Sequence, residues 1–408
     1  MPTLYKFTAI VLTAGLFLGC NIDRLGNPSP QDALIKKALN QGTIKKISKA
    51  TVPLRFSIDT TLVKVRLNGS KKTYTFMLDT GAYCAVTSRV ARALNLPTIS
   101  SIPMVDTTGK KRTTQLVRLK SISVDKTRVD DLSAFVISSS NPMLQFFTPG
   151  SFDGILGSNF LKHFRITLNY PRKTMSLEKS HAFPARTTPI AFSTPSHLGA
   201  APAFDCSIEG IKLIGMIDTG AHGITMPSSI MSRLKHDKKH RYNMTKGSSS
   251  GGMYGISEQD YIVRLARFEI GSIVLKNVTA STSNSPAVLL GKRFLSNHLT
   301  IIDYPRKQLL LRPFGDHYRD DDTSSYGIAL HKQNGIVRVI GIWQHSQAGQ
   351  SPLRVGDEIV RINGRLATQY SMYTMRKLFR GRTSPLKLEY KDQQGALHQI
   401  TLRKAPLI

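Results

Sequence analysis

Cysteine is scarce in this chain, at three in 408 residues, and tryptophan occurs once. So few thiols exclude a small fold held together by disulfides, and no Cys/His cluster has the spacing of a structural zinc site. Neither a metal nor a cofactor is therefore expected. Acidic residues are also few: 26 Asp and Glu face 56 Lys and Arg, a formal charge of +30. That excess points to anionic surroundings such as nucleic acid, a lipid surface or acidic peptides, and it carries no information about fold. No apolar run reaches the about 20 residues needed to span a bilayer, which excludes a polytopic membrane protein. What remains is 40% hydrophobic and long enough for two or three domains, each with its own core.

The apolar run that does exist, Phe7 to Gly19, follows Lys6 and reads as an export signal. It ends in Leu16-Phe17-Leu18-Gly19-Cys20, which resembles the lipobox of bacterial lipoproteins. The resemblance implies lipidation of Cys20 and a membrane-anchored place in the bacterial cell envelope, facing the periplasm or the exterior. Residues 1–20 are then the signal and 21–51 a polar, basic tether. The tether carries one helical pattern, with Asp32 as N-cap, Leu34, Ile35, Ala38 and Leu39 on one face and Gly42 as stop. Lys36, Lys37, Lys45, Lys46 and Lys49 either lie against anionic lipid or form a solvated linker. In such a compartment Cys84 and Cys206 can pair or remain buried thiols.

Beyond the tether the chain repeats itself. Phe76-Met77-Leu78-Asp79-Thr80-Gly81-Ala82 leads to Gly154-Ile155-Leu156-Gly157, Phe160-Leu161 and Tyr170-Pro171-Arg172-Lys173. The second copy runs Met216-Ile217-Asp218-Thr219-Gly220-Ala221, Val288-Leu289-Leu290-Gly291, Phe294-Leu295 and Tyr304-Pro305-Arg306-Lys307. Asp218 lies 139 residues after Asp79, and Gly291 and Tyr304 each lie 134 residues after Gly157 and Tyr170. Two homologous lobes follow, spanning 52–180 and 188–314. Short apolar or alternating runs such as Leu62 to Leu67, Tyr74 to Leu78, Ile166 to Leu168 and Gln308 to Leu311 predict strands. Helical periodicity is confined to stretches such as Ser88 to Leu94 and Ser228 to Leu234.

A single Asp-Thr-Gly is ordinarily a turn, but two copies, each after a hydrophobic strand and each continuing with Ala, resemble the aspartic proteases. Specifically, the pattern resembles the bacterial retropepsin-like enzymes in which two such lobes are fused in one chain. The resemblance covers residues 52 to 314 and implies a mainly β, two-lobed acid-protease β-barrel fold. It also implies a monomeric endopeptidase acting on peptide or protein substrates. Two carboxylates held about 3 Å apart share one proton, so one of Asp79 and Asp218 acts as general base on a water while the other donates to the scissile carbonyl. By the resemblance, Thr80 and Thr219 bond across the lobe interface, and Gly81 and Gly220 offer N–H groups to the acids. Ala82 and Ala221 stand where pepsin-like relatives have Ser, which predicts a less acidic optimum than a stomach-type enzyme. The later apolar-apolar-Gly segments would buttress the acid loops. Glycine-containing flaps are expected at Thr107 to Lys110, around Gly109, and at Ser250 to Gly255, with Gly251, Gly252 and Tyr254 as flap residues. A basic run, Arg233, Lys235, Lys238, Lys239, Arg241 and Lys246, is either a steering patch or a solvated face.

After a polar linker from Asp316 to Ser325, the run Leu353-Arg354-Val355-Gly356-Asp357-Glu358-Ile359-Val360-Arg361-Ile362-Asn363-Gly364 resembles a PDZ domain, covering 326–404. The resemblance implies a groove for a C-terminal peptide, with Tyr326, Gly327 and Ile328 receiving it by strand addition. Asn363-Gly364 suits a type I′ hairpin turn. The chain thus reads as a tethered aspartic endopeptidase with a module that recruits substrate or regulates access. The alternative is a catalytically inactive peptide-binding envelope lipoprotein. Nucleic acid is not an expected partner, because no recognition motif accompanies the charge.

Overall fold

The structure, a computed structural model, describes residues 30–408 apart from 59, 106–110, 140, 142–143, 145–146, 148–150, 237–239, 251–256, 321–322 and 382–383. Cys20, Gly109, Gly251, Gly252 and Tyr254 therefore lie outside the described residues. The chain is mainly β, and the two sequence copies form two barrels of the same design.

In the first barrel the strands Thr60–Leu67, Thr73–Leu78, Gly154–Leu156, Ala85–Thr87, Thr127–Ile137 and Lys111–Val124 follow one another around the wall. Pairing of Lys111–Val124 with Thr60–Leu67 closes it. In the second the order is Ala203–Ile208, Ile211–Ile217, Val288–Leu290, Ile224–Pro227, Ile273–Ser283 and Tyr261–Ile270, closed between the first and last. The strand pattern explains the placement. Thr73–Leu78 begins with Thr73 exposed and Tyr74 buried, then loses its alternation as Phe76, Met77 and Leu78 all become buried. A run buried on both faces carries the chain through the interior, where each large apolar side chain contributes about 1.5–3 kcal/mol.

The lobes meet in a shared sheet ordered Ile190–Ala191, Gln308–Pro313, His298–Asp303, Arg165–Asn169, Thr174–Glu178 and Ala50–Pro53. Across its centre Thr167 opposes Ile301, the equivalent position of the second copy, so a pseudo-twofold axis passes between them. Duplication in sequence has become symmetry in space.

The helix Pro30–Asn40 buries Ile35, Ala38 and Leu39. The segment read as a tether is, from Pro30 onward, built into the first lobe: Thr43–Lys46 pairs with Thr127–Ile137 and Ala50–Pro53 joins the shared sheet. Its strand Thr43–Lys46 is an exposed edge without apolar alternation, which is why it has no strand signature. Cys84 and Cys206 are buried and free, the outcome of two thiols held in different lobes.

The C-terminal region forms a sheet of Ile328–Gln333, Ile336–Trp343, Glu358–Ile362, Leu386–Lys391 and Leu397–Leu402, with the helix Met372–Gly381. Asn363 and Gly364 have φ of 51° and 81°, as a type I′ turn requires. This sheet is continuous with the second barrel. Strand Tyr242–Gly247 pairs first with Tyr261–Ile270, up to Met244, and then from Thr245 with Ile336–Trp343. A Cβ on Gly341 would lie 2.0 Å from the Ser248 carbonyl oxygen, and one on Gly247 2.2 Å from that of Ile340, so the junction needs both glycines. The linker is anchored too: Asp320 accepts from the Thr279 N–H at 3.0 Å and hydroxyl at 2.8 Å, and pairs with Arg264.

Candidate functional site

Each Asp-Thr-Gly-Ala stands on the turn that ends a buried strand. Behind it, a later apolar strand pairs in parallel: Leu156 opposes Leu78, and Leu290 opposes Ile217. The Asp79 and Asp218 amides each donate to the end of that strand, at 3.1 Å to Leu156 and Leu290 respectively. Glycine then permits close contact. A Cβ on Gly157 would sit 2.4 Å from the Ala82 carbonyl oxygen, and one on Gly291 2.5 Å from that of Ala221. The apolar-apolar-Gly segments thus pack directly against the acid loops, fixing both from behind.

The loops meet at the lobe interface. The Thr80 hydroxyl donates to the Ile217 carbonyl at 2.7 Å and accepts from the Thr219 N–H at 3.1 Å. Its mirror image holds as well, with the Thr219 hydroxyl donating to Leu78 at 2.9 Å and accepting from Thr80 at 3.0 Å. All four groups are buried, so this reciprocal set ties the two acids together through backbone as well as side chain. Gly81 N–H donates to Asp79 Oδ1 at 2.9 Å; Gly220 and Ala221 N–H donate to Asp218 Oδ1 at 2.9 and 3.2 Å. A Cβ on Gly81 would lie 2.9 Å from Asp218 Cγ, so glycine there lets the opposite carboxyl approach.

Asp79 and Asp218 are fully buried, and the Asp218 carboxyl packs against Gly81, two residues on from Asp79. Two buried carboxyl groups brought this close do not both ionise readily, so the pair favours a state that shares one proton. Burial pushes the Asp218 carboxyl up from the usual carboxylate range to about 7, against the opposing effect of the Gly220 and Ala221 N–H groups and of Asp79. Beneath the pair lie the tyrosines of the two Tyr-Pro-Arg-Lys runs, each near the acid of the other lobe. Burial, then the charge of Asp79, raises the Tyr304 phenol; burial raises that of Tyr170, with Thr61 opposing and Asp218 adding. Neither ionises near neutrality, which keeps further negative charge away from the acids. Among the described residues no group of three His, Cys, Asp or Glu side chains is arranged to hold a metal ion.

One buried acid proton-sharing with another, both set by fixed backbone donors, can polarise a water and a carbonyl in one step. The six expected residues of the acid loops, Asp79, Thr80, Gly81, Asp218, Thr219 and Gly220, are brought together here. Tyr326, Gly327 and Ile328 are elsewhere: Tyr326 and Ile328 line a cavity of about 250 Å³ between the C-terminal sheet, its helix and the second barrel, and Gly327 is not part of its lining. Tyr326 is buried with its hydroxyl donating to the Ser384 carbonyl, and Gly327, at φ 80°, has the Ser346 hydroxyl where a Cβ would be. Met372, Met375 and Phe379 form an apolar wall, and Arg376, Arg380 and Lys404 supply positive charge. The cavity reaches His222 and Gly223, immediately after the second acid loop.

Within the expected basic run, Lys235 is committed to Tyr261, its Nζ 2.8 Å from the hydroxyl and 4.3 Å from the ring centre, whereas Lys238 and Lys239 lie outside the described residues. Two features escaped the sequence reading. The Gly199 turn packs on the first acid loop, where a Cβ would fall 2.5 Å from the Gly81 carbonyl oxygen. Asp260 organises Ser249 and Ser250, between strands Tyr242–Gly247 and Tyr261–Ile270. The first lies in irregular backbone with no periodic signal; the second is an isolated Asp after a Gly/Ser-rich stretch, which suggests a loop and nothing more.

Comparison with protein families gives matches to two stretches. Residues 63–160 are similar to the family described as aspartyl protease, and residues 204–297 to that described as gag-polyprotein putative aspartyl protease. Each match contains one Asp-Thr-Gly-Ala. No curated protein matches the chain significantly.

Proposed function

We propose that the chain is an aspartic endopeptidase whose working groups are Asp79 and Asp218. The observation that carries this reading is the pair itself: two equivalent acids from two lobes, both fully buried, each fixed by a glycine N–H and their loops tied by the Thr80 and Thr219 bonds. The two aspartyl protease matches support it. In this reading the ionised member takes a proton from a water held between the acids. The water oxygen attacks the peptide carbonyl, while the protonated member donates to the carbonyl oxygen. A tetrahedral diol forms without a covalent enzyme intermediate. Its collapse transfers a proton to the leaving nitrogen and returns the pair to its starting state. Thr80 and Thr219 do not react; they set the spacing on which sharing of the proton depends.

The C-terminal region, read as a PDZ module, receives a peptide carboxyl end at Tyr326, Gly327 and Ile328, with Arg376, Arg380 and Lys404 as the complementary charge. Its apolar wall suits a nonpolar terminal side chain. The chain as a whole is placed at an envelope membrane by a lipidated Cys20, and the +30 charge serves that anionic surface or acidic peptide segments.

The test is incubation of soluble protein lacking residues 1–20 with a diverse peptide library from pH 3 to 8, with products identified by mass. Internal cleavages with an optimum between acid and neutral pH are expected. Peptide binding without cleavage at any pH would instead favour an inactive peptide-binding protein.

A further inference from the structure

Asp260 is a buried carboxylate one residue before the strand Tyr261–Ile270, which pairs with Tyr242–Gly247. Three serines turn towards it. The N–H groups of Ser249 and Ser250 donate to Oδ2 at 2.6 and 2.8 Å, and the hydroxyls of Ser249 and Ser257 donate to the same oxygen at 3.0 and 2.7 Å. The Ser250 hydroxyl donates to Oδ1. Asp260 is held in turn by Thr245, with which it exchanges backbone bonds of 2.9 and 3.0 Å through the Thr245 hydroxyl and N–H. Next to this knot the Ser248 N–H donates at 2.9 Å to Ile340 of the C-terminal sheet.

The position of the knot gives it a role. Ser249, Ser250 and Asp260 line the same cavity as His222 and Gly223, the residues that leave the second acid loop. A Ser-Ser-Ser segment has no apolar side chain to pack and no regular ladder of its own, so its conformation depends on what its polar groups bond to. Here the polar groups of Ser249 and Ser250 bond to one carboxylate, which accepts from every direction and donates to none, while the Ser248 hydroxyl donates to the Ser250 carbonyl.

We propose that Asp260 is a positioning residue for substrate binding, holding Ser249 and Ser250 as a fixed wall of the cavity beside the second acid loop. The proposal rests on the protease reading and adds to it the element that preorganises the second lobe's side of this cavity. Without the carboxylate the wall must be ordered each time a peptide binds, which weakens binding and leaves the acids and their proton untouched.

Asp260→Asn tests this, since the amide keeps the size and replaces half the acceptor capacity with donors that face donors. With a cleaved peptide as substrate, KM should rise about tenfold while kcat stays within about twofold. Ser250→Ala removes one donor and leaves the carboxylate, and should raise KM about threefold. Deuterium exchange at the Ser249 and Ser250 amides should accelerate at least about tenfold in Asp260→Asn. A folded Asp260→Asn protein with unchanged KM, or with unchanged exchange at those amides, overturns the proposal. If Asp260→Asn fails to fold, Ser250→Ala decides by the same two readouts. Absence of cleavage by the wild-type chain would sink the protease reading alone, and the exchange measurement would still judge the role of Asp260.

Discussion

Replacing Thr80 by Val tests the interface on which the two acids depend. Valine keeps the shape of the side chain, so no cavity forms and the change is confined to the hydroxyl. That hydroxyl donates to the Ile217 carbonyl at 2.7 Å and accepts from the Thr219 N–H at 3.1 Å, in a site where Thr80 is only 1% exposed. The variant therefore leaves one carbonyl and one N–H buried without these bonds. At about 1–3 kcal/mol for each stranded group, stability should fall by about 2–6 kcal/mol. Urea unfolding followed by near-ultraviolet circular dichroism measures it. The mirror variant Thr219→Val should cost a similar amount, because its bonds to Leu78 and Thr80 are the symmetry equivalents. The double variant should cost less than the sum by about 1 kcal/mol or more, since both residues belong to one network. Peptide turnover should fall with stability, because the acids lose the link that fixes their separation. A loss below about 0.5 kcal/mol, or strict additivity of the two substitutions, would refute the reasoning.

Other predictions follow from single contacts. Gly81→Ala would place a methyl group 2.9 Å from Asp218 Cγ, so kcat should drop at least about 100-fold while the variant remains folded by circular dichroism. Because the Asp218 carboxyl is raised to about 7, the folded chain keeps a proton that the unfolded chain releases above about pH 4. The unfolded state binds fewer protons there, so this group's contribution to stability falls as pH rises from about 4 to 7. Asp218→Asn should accordingly gain stability relative to wild type towards pH 7, seen as a widening difference in urea midpoint; a difference independent of pH would contradict it. Gly341→Ala would press a methyl group to 2.0 Å from the Ser248 carbonyl oxygen, and should open the seam between barrel and C-terminal sheet, read as faster deuterium exchange at Ser248 and Ile342.

Much of the site was legible because its chemistry is local. A buried strand, an acid and a tight glycine turn are consecutive in the chain, and Phe76 to Ala82 shows all three. That Gly157 and Gly291 would close against Ala82 and Ala221 was legible only through the repeated order of motifs and the family resemblance, since parallel pairing across many residues has no local signature. The junction between Tyr242–Gly247 and Ile336–Trp343 was not legible at all. Its residues read as a basic, Gly/Ser-rich surface loop on one side and an ordinary strand on the other, and only contact between backbones explains Gly247 and Gly341. The same holds for Thr43–Lys46, an edge strand whose side chains are all exposed. Where burial is absent, as along Thr43–Lys46, periodicity vanishes and strand pairing becomes visible only in three dimensions.

In the proposed mechanism Asp79 and Asp218 share one proton and together activate water. This mechanism is tested most directly by steady-state cleavage of one good peptide substrate by wild type, Asp79→Asn and Asp218→Asn, each confirmed to be folded. Either substitution should lower kcat by at least about 1,000-fold, because the pair then lacks either its base or its shared proton. Retention of wild-type kcat by either variant would contradict it.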